Sequence, residues 1–196
     1  MSLIDHFFEN IIDEWAALVY LKGFPFFISI KFALFVVAMK AASIQEIKLE
    51  LSETSAAKLK QLCLHLAKFK KENKELLTYL LFESHDEAAY INEVKAGIDE
   101  GFAELPKANN YLNKKSLRKT LRIANKHIKY MGSKQGEATI LIHFCEQLKK
   151  SGIPFQKITI LKNIYLQQIK KINTAISSLH EDLQYDFQQQ LKDLAI

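Results

Sequence analysis

Backbone breakers are scarce in this chain. Six glycines and three prolines among 196 residues are too few for the hairpins and corners of a sandwich or barrel, which leaves an all-α composition. Cysteine is nearly absent as well. Cys63 and Cys145 lack CxxC spacing, so no disulfide framework or zinc ribbon can be built, and both read as small apolar side chains in a reducing, cytoplasmic setting. Arginine occurs only at Arg118 and Arg122, one helical turn apart.

Catalytic patterns are missing in the same way. The histidines, His6, His65, His85, His127, His143 and His180, never form HExxH, and none follows an acid by three residues, as a di-iron bundle would require. His143 and Cys145 lie two apart, on different sides of a helix. Ser55-Ala-Ala-Lys58 and Ser116-Leu-Arg-Lys119 match the SxxK spacing in which a lysine serves a serine nucleophile, but no companion SDN or KTG follows. Gly132-Ser-Lys-Gln-Gly136 follows a helix rather than a strand and is not GxxxxGK[ST], so nucleotide binding is unsupported. The expectation is a non-enzymatic chain with no catalytic residue, no metal ligand and no cofactor.

What is present is a soluble-looking mixture, 48% hydrophobic and 25% charged, long enough to bury a core in one domain. Its net charge of +5 is unevenly spread: residues 81 to 106 carry −6 and residues 107 to 180 carry +13. Such segregation fits either an anionic partner or acidic and basic segments that face each other within the fold.

The sharpest pattern is Tyr111 to Met131, YLNKKSLRKTLRIANKHIKYM. At about 100° per residue, Leu117, Leu121, Ala124, Ile128 and Met131 fall in one arc roughly 80° wide, the spacing of a buried helical seam. Lys114, Lys115, Arg118, Lys119, Arg122, Lys126 and Lys129 fill a separate arc about 140° wide, with Leu112, Ile123 and Tyr130 as a thin third stripe. No acidic residue occurs between Leu105 and Gly136. These seven cations are the candidate binding residues: along about 30 Å of helix they could neutralise several phosphates without reading bases, with Tyr111 and Tyr130 placed to stack on unpaired bases. A Lys-rich face is equally the ordinary solvated side of a helix.

The first part of the chain differs in composition. Seven of thirteen Phe and the only Trp precede Met39. Leu3 to Tyr20 reads as an amphipathic helix that Gly23 and Pro25 end. Phe24 to Met39 is the most apolar run, yet shorter than the roughly 20 residues a spanning helix needs, and it contains Pro25 and Lys31. Residues 1–38 therefore read as a hydrophobic helical segment with three open interpretations: a membrane anchor or signal segment, a helical hairpin packed on the rest of the protein, or a gene-model extension upstream of a natural start at Met39. Membrane contact through residues 24–39, and with it a membrane-associated location, is one expectation; a single helical domain over residues 39–196 is another.

From Ser43 onward the punctuation is regular. Ser43-Ile-Gln-Glu46, Ser84-His-Asp-Glu87 and Ser178-Leu-His-Glu181 match the Ser-x-x-Glu capping box. Helices are expected over about 54–71, carrying Leu59, Leu62, Leu66 and Phe69, and over about 73–82, carrying Leu76, Leu77, Leu80 and Leu81. Another is expected over 86–105, with Ile91, Val94, Ile98, Phe102 and Leu105 in one arc and Glu93, Glu100 and Glu104 beside it. Gly97 and Gly101 form a notch on that helix where a neighbour could approach. The short connection after Pro106 predicts an antiparallel pairing with the basic helix. Ile140, Phe144 and Leu148 mark the next helix, Ser151-Gly-Ile-Pro154 a break, and 158–176 the helix after it.

The segment Lys68 to Tyr90, together with Tyr130-Met-Gly-Ser-Lys-Gln135 and His143-Phe-Cys-Glu-Gln-Leu-Lys-Lys-Ser-Gly-Ile-Pro154, resembles an uncharacterised family of small all-helical bacterial proteins. The likeness covers roughly residues 39–196 and implies a helical fold without implying an activity. The expectation is an irregular bundle or short curved array of six to eight helices that acts as a protein-interaction module. A nucleic-acid phosphate backbone bound through residues 111–131 is the alternative, and a membrane-tethered helical domain a third reading.

Overall fold

The computed structural model describes residues 41–106 and 110–194, with the side chains of 110–112 left aside. Among these residues it is all-α: eight α-helices and no strand. In chain order they are α1 (Ile44–Ser52), α2 (Ala56–Phe69), α3 (Lys71–Thr78), α4 (Glu87–Ala103), α5 (Asn110–Met131), α6 (Lys134–Lys150), α7 (Thr159–Ile176) and α8 (Glu181–Lys192). A π turn, Tyr79–Glu83, extends α3, and a short 3₁₀ turn, Phe155–Lys157, precedes α7.

The chain divides into two compact units, residues 1–61 and 62–196, with the boundary inside α2. In the first, α1 is opened by a complete capping box: Glu46 N donates to Ser43 Oγ at 3.3 Å and Ser43 N to Glu46 Oε2 at 2.6 Å. No residue of α1 is buried. The N-terminal readings, from Leu3 to the apolar run 24–39, lie outside the described residues.

The second unit is an irregular bundle around α6, which packs against α4, α5 and α7. Eight residues of α6 are buried, among them Ile140, Leu141, Phe144 and Leu148. Phe144 meets Phe102 of α4 edge to face at 5.3 Å. Tyr165 of α7 is fully covered and donates its hydroxyl to Leu194 O at 2.5 Å, tying down the chain beyond α8. Tyr90, near the start of α4, bonds His127, near the end of α5, while Gly101, near the end of α4, abuts Thr120. The pair is therefore antiparallel, as the short connection predicts.

Two of the expected capping boxes are replaced by better-placed acceptors. Asp86 caps α4 by accepting from Ala89 N at 2.9 Å, and His180 is the N-cap of α8. Ser84 and Ser178 instead donate backwards, to Leu80 O and Ala175 O, and satisfy carbonyls at the ends of the preceding helices. Lys70, in extended conformation, separates α2 from α3. Asn73 Nδ2 donates to Leu66 O across that break at 2.9 Å.

The apolar residues of α2 are not covered. Leu62, Leu66 and Phe69 are exposed, Leu59 is half-buried, and Leu80 and Leu81 are exposed on the π turn. The membrane expectation is also corrected, both as a partner and as a location. No helix among the described residues is long and apolar enough to cross a bilayer, and the longest, the 22-residue α5, carries seven Lys and Arg where a span needs about 20 mostly apolar residues. The run 24–39 that prompted that expectation lies outside the described residues.

Candidate functional site

Helix α5 carries the predicted seam to its place. Leu117, Ala124 and Ile128 are buried, and Leu121 and Met131 pack half-buried against the same core. The positive side faces out: Lys115, Arg118, Lys119, Arg122 and Lys129 are exposed, and Lys114 and Lys126 are half-buried. Spacing of the apolar residues at the helical period explains the separation, since burying one arc leaves the opposite arc wet.

The seven cations are not equivalent. Lys126 Nζ donates to Glu75 Oε2 of α3 at 2.6 Å, and Tyr130 donates its hydroxyl to the same oxygen at 3.0 Å. Those two bonds, Lys126 first, hold the Glu75 carboxyl below its ordinary value of 4.5. Lys126 is thus spent on docking α3, as is the Tyr130 hydroxyl. Among the described residues no ion pair or hydrogen bond engages the side chains of Lys115, Arg118, Lys119, Arg122 or Lys129. Arg118, Arg122, Lys126 and Lys129 line a shallow concavity of about 760 Å³ with Glu72, Asn125 and Tyr130. The Tyr111 side chain lies outside the description.

Beside this surface runs a partly buried aromatic and polar chain that the sequence did not announce. His127 Nδ1 and the Tyr90 hydroxyl are 2.7 Å apart, the Tyr90 ring lies 4.6 Å from that of Tyr79, and His127 meets Tyr130 edge-on at 5.9 Å. Burial, then the charge of Lys126, lowers the His127 pKa from 6.5. Burial raises the Tyr130 hydroxyl to about 12. No motif links Tyr79, Tyr90, His127 and Tyr130; their mutual distances come from packing α3, α4 and α5 together.

The acids of α4 do not neutralise α5 by direct pairing. Glu93, Glu100 and Glu104 make no ion pair with Lys119, although all four line one groove of about 390 Å³ between the two helices. The two glycines of the notch behave differently there. A Cβ on Gly101 would overlap Thr120 Oγ1 and lie 3.0 Å from its Cγ2, so this is the point of closest approach. A Cβ on Gly97 would meet nothing within 4 Å.

The other singled-out residues stay apart. His143 Nε2 lies 2.6 Å from Asp99 Oδ1, whereas Cys145 is fully buried and its thiol is pushed up to about 12 by that burial. Cys63, by contrast, is exposed. Gly132 adopts φ 63° and ends α5, and Ser133 caps α6 by accepting from Gly136 N at 3.1 Å; Gly132 to Gly136 is a helix junction. Among the described residues no cluster of three His, Cys, Asp or Glu side chains is placed to hold a metal ion. No family model, no curated protein and no solved structure matches the chain. The resemblance to a bacterial family thus reduces to the coarser statement that this is a small all-helical protein.

Proposed function

We propose that the chain is a non-enzymatic helical interaction module that receives an apolar helix face of another protein on the π turn after α3. One observation carries this reading: Leu80, Leu81 and Phe82 are consecutive and are 54%, 63% and 67% exposed. Single exposed apolar residues are ordinary, but consecutive large ones are costly to keep wet, at roughly 1.5–3 kcal/mol of unrealised burial each. The π geometry inserts an extra residue in the turn, a feature enriched at functional positions. Leu62, Leu64, Leu66 and Phe69 of α2 supply further exposed apolar side chains. A photo-crosslinking residue at Phe82 in the full chain, expressed in its native host, is expected to give one discrete adduct that Leu81→Ser abolishes. Adducts no stronger than those from an exposed polar control position such as Gln188 would sink the reading.

A second reading is supported by the five unpaired cations of α5. Lys115, Arg118, Lys119, Arg122 and Lys129 suit contact with a phosphate backbone, which needs positive charge on an accessible face and no base readout. Oligonucleotide binding should then fall steeply with salt, and each Lys→Gln change should lower the slope by about one. No binding at low salt would remove this reading and leave the first untouched.

A further inference from the structure

We propose that the cavity where α4 and α6 end beside the start of α5 binds a neutral amide-bearing ligand, an extended peptide segment with an apolar side chain. The cavity measures about 660 Å³. The residue that singles it out is Asn113 of α5, which lines it, is only 4% exposed, and has a covered Oδ1 without any hydrogen-bond partner. A covered acceptor in that state is rare and destabilising, so the position needs a donor that the described residues do not supply. The last torsion of an asparagine side chain is soft and roughly two-fold, so a half-turn presents either Oδ1 or Nδ2 to an entering group.

A second carboxamide stands in the same cavity. Gln147 of α6 is half-buried there, and its side chain makes no hydrogen bond among the described residues. Each carboxamide offers an acceptor and two donors, and the group that answers both kinds at once is another amide, which carries N–H and C=O together. An ion fits less well. Among the described residues Asp99 and Lys150 are the charged side chains lining the cavity, so their charges cancel, and Asp99 is already engaged by His143 at 2.6 Å. No net field remains to favour a cation or an anion. The ends of α4 and α6 add backbone carbonyls without intrahelical donors, which suit the N–H groups of a peptide. Phe102, Leu105 and Ile153 supply apolar surface for a hydrophobic side chain.

This inference rests on neither functional reading, because α2, the π turn and the five unpaired cations of α5 do not line this cavity. The test is titration of N-acetyl-leucine-methylamide, a probe with two amides and one apolar side chain, into the isotope-labelled full chain, followed by nuclear magnetic resonance. The side-chain amide signals of Asn113 and Gln147, identified by their loss in Asn113→Leu and Gln147→Ala, should shift together and saturate. Gln147→Ala should weaken binding about tenfold, the loss of one hydrogen bond, and Asn113→Leu should abolish it. If Asn113→Leu lowers the thermal midpoint or alters the circular dichroism, Gln147→Ala decides. Shifts that never saturate, equal or tighter binding of free leucine, or unchanged affinity in Gln147→Ala would overturn the proposal.

Discussion

Helices α2 and α6 look alike as sequence and end in opposite environments. Both carry large apolar residues at helical spacing, yet eight of the 17 residues of α6 are buried and none of the 14 in α2. Periodicity therefore establishes that a helix has an apolar side, but not that the described fold covers it. α6 is flanked by α4, α5, α7 and the end of the chain at α8, whereas the apolar side chains of α2 and of the π turn are left for something else. That contrast is the physical basis of the interaction reading.

The contrast can be broken most sharply at Phe144. Replacing it with Ala removes a fully buried ring from the contact with Phe102 and should cost about 3–5 kcal/mol in chemical unfolding. A cost below about 1 kcal/mol would mean that α6 is not the centre of the bundle. Next in size is Gly101→Ala, whose Cβ would overlap Thr120. Separating α4 from α5 should cost about 1–3 kcal/mol. Its neighbour in the notch is expected to respond with the opposite sign, because Gly97→Ala meets open space and should stabilise α4 by about 0.5–1 kcal/mol through helix propensity alone.

Glu75→Gln should cost about 1 kcal/mol, small because the carboxyl is partly solvated. Its pH signature is clearer. The carboxyl has a folded pKa below its unfolded value of 4.5, so it contributes stability above pH 4.5 that is lost as pH falls through the lower folded value. Removing it should flatten the acid limb of the unfolding midpoint measured against pH. His127 acts at higher pH. Its folded pKa lies below 6.5, so stability begins to fall as pH drops below 6.5, where the unfolded chain takes the proton first. The smallest effect is expected at Leu64→Ala on exposed α2, within about 0.5 kcal/mol of wild type. A large loss there would show that α2 is covered and would weaken the interaction reading.

Most of the helix pattern was legible in residue order. The seam Leu117, Ala124 and Ile128, the α4 arc through Val94 and Ile98, and the break at Ser151 to Pro154 all follow from period and breakers. Capping was less legible. Ser43 behaves as its motif implies, whereas Ser84 and Ser178 lose the cap to Asp86 and His180, because a short motif does not say where the preceding helix stops. The basic face was legible as composition, but its internal division was not. That Lys126 is engaged by Glu75, and that Tyr130 is held there with it, depends on two residues more than fifty positions apart in the chain.

What the residue order determined by itself is the class of fold, the limits of most helices, and the segregation of α5 into a greasy side and a cationic side. These are local properties, set by backbone propensity and by a period of 3.6 residues. Only the tertiary structure decided which apolar faces are covered, which lysine is paired, and that Glu93, Glu100 and Glu104 border a groove opened by Gly97 and pinched by Gly101. Those outcomes depend on side chains far apart in sequence meeting at contact distance, and no local pattern encodes such distances.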